Sequence, residues 1–270
     1  MRKGSIMNKP STKKHFLWMA SLVIVALCVA VYANVWKENS RVAEVVVEEN
    51  RIIPANDILA LAKVPANSLM FDLDLYAIEQ RVETNPFVKS ASVHRDVPNR
   101  VRIVVEERVP VAAMTMNGRL SYIDAGGYVL PPARSQFIFD LPVLTGTLPA
   151  DEFSVGKPTR NRNALDALNL LSVAKQVDED LYRNISEIRF DGEKDIVFYT
   201  AEFGVPVIIG RSGVGQMLVR FDAFWRSIVA RQGADALQYI DVRFEDQVLV
   251  RHSVLSEAKN LTSTSVEKRL

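Results

Sequence analysis

The stretch HRDVPNRVRIVVEERVP, residues 94–110, places one histidine, one aspartate, two adjacent glutamates and four arginines within seventeen positions. An imidazole among carboxylates is the raw material of general acid–base catalysis, provided that a third group orients the base. Side chains in a strand alternate with period two, and that alternation sorts the cluster. Along RVRIVVEERV (100–109), Val101, Ile103, Val105 and Val109 fall on one face with Glu107 the exception, while Arg100, Arg102, Glu106 and Arg108 fall on the other. Along FVKSASVHR (87–95), Phe87, Ala91 and Val93 share one face, and Ser90, Ser92 and His94 the other. The charges therefore read as the solvated side of a sheet, where opposite-charge pairs contribute about 0.2–1 kcal/mol each. Nothing at fixed spacing makes His94 a base.

Other catalytic patterns are missing too. GRSGVG (210–215) has the glycines of a phosphate-binding turn, but neither the Lys-Ser/Thr pair of a P-loop nor the G-x-G-x-x-G spacing. Ser212 as N-cap of a helix through Met217, Phe221, Phe224 and Ile228 accounts for it. The sequence holds no G-x-S-x-G and no H-E-x-x-H, and beyond residue 36 its histidines are His94 and His252. No catalytic, cofactor-binding or metal-ligating residue is assigned, and no cofactor is expected.

The elements that carry the opening cluster have a definite order. RVAEVVVEEN (41–50) is valine-rich and reads as a strand; Pro54 opens a short helix, PANDILALAKV, with Ile58, Leu59 and Ala62 at helical spacing. After a turn at Asn67-Ser68, Asp74 is the N-cap of LYAIEQRVE, which buries Leu75, Ile78 and Val82 before Asn85-Pro86 ends it. The two strands of the cluster follow, joined by a loop around Asp96–Asn99 whose Pro98 has no place in a central ladder. The order is β-α-α-β-β. Further on, TRNRNALDALNLLSVAKQV (159–177) carries Ala164, Leu165, Leu168, Leu171 and Val173 along a helical stripe. EIRF, DIVFYTA and VPVIIG then read as strands in hairpins, broken at Asp191-Gly192 and at Gly204.

Residues 1–15 contain Arg2, Lys3, Lys9, Lys13 and Lys14 and no carboxylate, and they lead into FLWMASLVIVALCVAVYANVW (16–36). Within that run no side chain is ionisable at neutral pH apart from Cys28, and about 20 such residues span a hydrocarbon core. A cleaved signal peptide is the competing reading, since Val31-Tyr32-Ala33 offers small residues for a peptidase. The apolar run to Ala33 nevertheless exceeds the usual h-region of about 7–15 residues, and Trp36 sits where an interfacial aromatic belongs. The positive-inside rule leaves the N-terminus in the cytoplasm and exports the remainder. With Cys28 inside the span, the exported part is stabilised by apolar burial rather than disulfides. A net charge of +1, from 33 basic and 32 acidic residues, gives no footprint for nucleic acid.

The run E-x-x-P-F-V-x-x-A-x-V-x-R-x-x-P-x-x-V-x-I-x-V-x-E-R-x-P-V-A, from Glu83 to Ala112, resembles the POTRA domain of the bacterial FtsQ/DivIB division family. SYIDAGGYVLPP (121–132) is similar to that family's aspartate-glycine turn, and LPVLTG (141–146) to its leucine-proline motif. The resemblance implies an α+β chain: a cytoplasmic basic tail (1–15), a transmembrane helix (16–36), a POTRA domain (41–109), a larger mixed β-sheet domain with helices packed on it (110–255) and a disordered tail (256–270). It further implies a non-enzymatic, single-pass inner-membrane scaffold of the divisome, located at the septum, whose POTRA domain recruits other division proteins.

LQYIDVRFEDQVLVRHSV (237–254) alternates at first, with Ile240, Val242 and Phe244 on one face and Tyr239, Asp241 and Arg243 on the other; Val248, Leu249 and Val250 are then apolar on both. A terminal strand with nothing after it offers unpaired backbone groups to an arriving extended segment. A simple edge protected by Arg251, Glu245 and Asp246 reads equally well from pattern alone. The family resemblance favours the first reading, because it implies binding of FtsB, in its complex with FtsL, along this strand, with Arg243, Phe244, Asp246, Gln247, Val248, Leu249 and Val250 as contacts. Gln247 and Leu249 are bulkier than the small residues of other family members. The alternative class is a membrane-anchored periplasmic cell-wall enzyme whose carboxylate pair is hidden among scattered acids.

Overall fold

The structure, a computed structural model, describes residues 12–132, 139–190, 195–229, 233–234 and 237–252. The expected tail at 256–270, most of the basic segment and the Asp191-Gly192 break lie outside the described residues. Two compact units are present, one of Met1–Thr84 with Ser90–Glu106 and the other of Asn85–Lys89 with Glu107–Leu270.

The first unit begins with helix α1 (Thr12–Asn39), in which Phe16–Trp36 is long and apolar enough to cross a membrane. Leu17, Ile24, Val31 and Trp36 are exposed, and apolar side chains on every face suit a helix solvated by lipid. Beyond it come β1 (Glu44–Glu48), α2 (Ala55–Ala62), α3 (Leu75–Val82), β2 (Val88–Asp96) and β3 (Arg100–Glu107), the expected β-α-α-β-β order. The sheet runs β1-β3-β2, with β1 parallel to β3 and Val45 opposite Val101. Ile58, Ala62, Ile78 and Val82 from the helices are buried, as are Val101, Ile103 and Val105 from β3. Asp74 caps α3 by accepting from the Ala77 N–H at 3.0 Å. On the polar face Arg100 meets Glu44 at 3.0 Å and Arg102 meets Asp96 at 3.2 Å, while His94 is exposed. Most of the opening cluster is a solvated, ion-paired sheet surface.

Two members of that cluster depart from the alternation, because β3 stops at Glu107. Val109 is 66% exposed instead of facing the core. Arg108 leaves the solvated face altogether: its side chain is 13% exposed, Nη1 donates to Asp124 Oδ2 at 2.9 Å, and its guanidinium lies 3.5 Å from the centre of the Tyr128 ring. The other Asp124 oxygen accepts from the N–H groups of Gly126 (2.9 Å) and Tyr128 (2.8 Å), which shapes the DAGGY turn.

In the three-stranded sheet β2 is an edge, and α3 blunts it. Glu83 Oε1 accepts the Ala91 N–H at 3.0 Å and Glu79 Oε1 the Val93 N–H at 2.9 Å, so donors that an incoming strand would use are already bonded. Glu79→Ala is expected to speed amide hydrogen exchange at Val93 and leave Ala91 protected, at a cost of about 1–2 kcal/mol. Exchange at both sites read by NMR checks this; unchanged exchange at Val93 would count against the cap.

The larger unit holds β4 (Pro110–Met116), β5 (Arg119–Asp124), β6 (Val129–Leu130), β7 (Val143–Gly146), α4 (Arg162–Val177), α5 (Glu179–Arg183), β8 (Ile185–Phe190), β9 (Asp195–Thr200), β10 (Pro206–Gly210), α6 (Val214–Phe224), β11 (Leu237–Asp241) and β12 (Leu249–His252). Among the described residues its sheet runs β12-β11-β10-β9-β8-β7-β4-β5-β6. The expected antiparallel pairs β8–β9 and β9–β10 form, the second across the break at Gly204. Leu168 and Leu171 of α4 and Leu218 and Phe221 of α6 join one core with Phe190 and Phe198, and Phe198 meets Phe221 edge-to-face at 5.1 Å. Two local expectations change. Leu165 is 44% exposed, and the α4 stripe instead runs through the buried Ala167 and Leu170. Ser212 does not cap α6; Gly213, in the left-handed region at φ 71°, occupies that position.

Candidate functional site

Residues 237–254, expected to alternate only as far as Phe244, form a hairpin. β11 is parallel to β10 on one side and antiparallel to β12 on the other, with Ile240 opposite Val250 and Asp241 opposite Leu249. β11 is held inward by Ile240 and Val242, both buried, and the Val242 N–H donates to Ile208 O at 3.2 Å. The alternation ends there: Phe244, expected beside them, is 42% exposed in the connecting turn, where Asp246 is left-handed at φ 60°.

An ionic hub fixes the start of this turn. Arg243 Nε and Nη2 donate to the two oxygens of Asp241 at 3.0 and 2.6 Å, and Nη1 pairs with Asp195 on β9 at 3.0 Å. The Arg243 N–H also donates to Asp241 Oδ1, and Arg220 of α6 donates to Val242 O at 2.7 Å. Alternation puts Asp241 on the polar face, yet it is only 5% exposed. Its burial by itself raises the carboxyl pKa, but the Arg243 guanidinium and backbone N–H outweigh that and hold it below 3.8. The same contact raises Arg243. Asp195, Asp241 and Arg220 were missed by sequence reasoning; the only signal was the D-x-R spacing at 241–243, which matches a bidentate Arg–carboxylate clamp.

A carboxylate with a depressed pKa stabilises the folded form above its unfolded value, and that contribution disappears as pH falls through the folded value. The hairpin is therefore expected to stay ordered down to about pH 4 and to loosen only below 3.8, the ordinary Asp value. Amide and Asp241 carboxyl signals followed by NMR test this; fraying that begins near pH 6 would overturn it.

The seven expected contact residues are brought to one place in different states. Arg243 is engaged within the chain, Phe244, Asp246 and Gln247 display their side chains in the turn, and Val248 packs against the core. On β12, Leu249 is 43% exposed and Val250 half-buried. Among the described residues β12 has a neighbour on one side only. Elsewhere in this unit a cavity of about 400 Å³ opens at the end of α6, lined by Asp180, Glu202, Asp222, Trp225 and Arg226 among others. There Arg226 bridges Asp222 at 2.9 Å and Asp178 at 2.7 Å. Among the described residues no group of three or more His, Cys, Asp or Glu side chains is placed to hold a metal.

Residues 40–108 match the model of the POTRA domain, FtsQ-type, and residues 112–243 that of the C-terminal region of cell division protein FtsQ/DivIB. The chain belongs to the FtsQ/DivIB family. Cell division protein FtsQ of Rhodothermus marinus is 33% identical over 241 residues, covering 87% of this chain and 85% of that one. The FtsQ of Geotalea daltonii is 31% identical over 206 residues, 76% and 73% of the two chains, and that of Syntrophotalea carbinolica 28% over 235 residues, 85% and 80%. Family membership together with the apolar helix makes this a single-pass inner-membrane protein of cell division. The FtsQ/DivIB match ends at Arg243, so the turn and β12 lie beyond it.

Proposed function

We propose that this chain is a non-enzymatic scaffold of the division machinery that binds the FtsB–FtsL complex by adding an extended segment of that partner to β12, and thereby helps control septal peptidoglycan synthesis. The observation that carries the reading is β12 itself, the last strand among the described residues and paired on one side among them, with Phe244 and Leu249 exposed beside its other side. Backbone hydrogen bonds along such an edge supply affinity and the flanking side chains supply specificity. Arg243 acts as a positioning residue that holds the turn, while Phe244, Asp246, Gln247, Leu249 and Val250 make the contacts and Val248 seats the turn on the core. The N-terminus is cytoplasmic, residues 16–36 span the bilayer, the POTRA domain at 41–109 recruits other divisome proteins, the domain at 110–255 docks the partner, and no nucleic acid is bound.

Phe244→Ala is expected to weaken binding of the partner's periplasmic segment about tenfold or more, the loss typical of an aromatic anchor. Gln247→Pro acts through the backbone: the residue before a proline is pushed toward extended geometry, which drives Asp246 out of φ 60° and disturbs β12. Calorimetric titration of each variant measures both effects, and undiminished affinity in the two together sinks the strand-addition reading.

A further inference from the structure

We propose that the 3-10 turn Met70–Asp72 seats in the headgroup layer where α1 leaves the membrane, with Phe71 as the inserted side chain, so that the first unit is attached to the lipid surface at a second point besides its helix. Trp36 closes the apolar span Phe16–Trp36 and is 45% exposed. The Phe71 ring stacks on it, with centroids 5.4 Å apart and planes 29° from parallel, and is itself 49% exposed. A ring that touches the last residue of a span lies at the depth of the interface, the layer where aromatic side chains collect.

The turn is rigidly tied to the helix end. Ser40, 1% exposed, donates through Oγ to Trp36 O at 2.8 Å, and its carbonyl accepts the Met70 N–H at 2.9 Å. Met70 is fully buried, and Arg95 grips both sides of the turn, Nε to Met70 O at 2.9 Å and Nη2 to Leu73 O at 2.7 Å. Phe71 is thus held outward on a pinned backbone. The Phe71 ring extends the apolar surface of the span through its stack on Trp36, and that continuity makes the bilayer the surface it meets. Tyr76, 68% exposed in the first turn of α3, offers an amphipathic ring five positions on. Asp72 and Asp74 flank the aromatics, so anionic headgroups are not what attracts the turn. Attachment proceeds by aromatic insertion, is satisfied by zwitterionic lipid and withstands salt.

The test uses the full chain reconstituted in phosphatidylcholine vesicles. With Trp18, Trp36 and Trp225 changed to Phe, Phe71→Trp is expected to give blue-shifted emission that brominated phosphatidylcholine quenches and aqueous iodide does not. Asn56→Trp, exposed in the first turn of α2 and reached only after β1 has run away from the end of α1, is the reference and is expected to show the reverse. A second variant keeps all three tryptophans: Cys28→Ser with Phe71→Cys carries a nitroxide whose relaxation is expected to respond to oxygen more than to a water-soluble nickel chelate. Iodide access at position 71 equal to that at 56, with nickel favoured over oxygen, overturns the proposal. Shielding that arises only when another membrane protein is co-reconstituted also overturns it, since it identifies a protein rather than lipid as the occupant.

Discussion

Arg108→Met is expected to lower the stability of the larger unit by about 3–5 kcal/mol, the usual cost of leaving one member of a buried ion pair alone. The side chains of Arg108 and Asp124 are only 13% and 9% exposed, so water cannot take the place of the lost guanidinium. Asp124 is also committed by its other oxygen to the N–H groups of Gly126 and Tyr128, and so cannot swing out to solvent without undoing that turn. The face of Tyr128 loses its cation in the same step. Chemical denaturation of wild type, Arg108→Met, Asp124→Asn and the double variant apportions the loss. Because Asp124→Asn removes the stranded charge, the double variant is expected to be more stable than Arg108→Met alone; a strictly additive cycle would show that the two groups do not act as a pair.

Gly146→Ala is expected to cost about 3 kcal/mol or more, for two reasons that add. Gly146 has φ 88°, a region that penalises any Cβ by roughly 1–2 kcal/mol. It also lies opposite Phe190 in the parallel β7–β8 pair, and an added Cβ would come within 2.9 Å of the Phe190 N and closer still to its carbonyl oxygen. The obstacle is backbone, which cannot rotate away as a flexible side chain would, and relief by strand displacement adds about 1–3 kcal/mol. Gly118→Ala is the control. That glycine also has positive φ, at 73°, but no heavy atom lies within 4 Å of the added carbon, so only the conformational penalty applies. Equal thermal shifts in the two variants would show that the approach to Phe190 is unimportant.

Much of the first unit was legible in the residues themselves. β2 and β3 alternate over most of their length, the helices bury Ile58, Ala62, Ile78 and Val82 at helical spacing, and Asp74 announces a helix start that the Ala77 N–H confirms. Local rules were enough because each of these elements has one face toward a single core. The same rules misplaced Val109, Arg108, Leu165, Ser212 and Phe244. Period two states which side of a strand a residue occupies, but neither where the strand stops nor what covers its polar side. Arg108 follows the last residue of β3, and its carboxylate partner arrives from 16 positions away. Phe244 lies past the point where Val242 is tied to Ile208, so its place in the series no longer orients it.

By itself the sequence determined an apolar membrane span, the β-α-α-β-β order and the family to which the chain belongs, all properties of residue types at short spacings. Only the tertiary structure decided that, among the described residues, β12 stands at the end of a mixed sheet. It also decided that Asp195, Asp241 and Arg243 converge on the turn leading into that strand, and that Arg108 lies buried against Asp124. Strand order and charge partners depend on which distant segments pack side by side, and no local period encodes that.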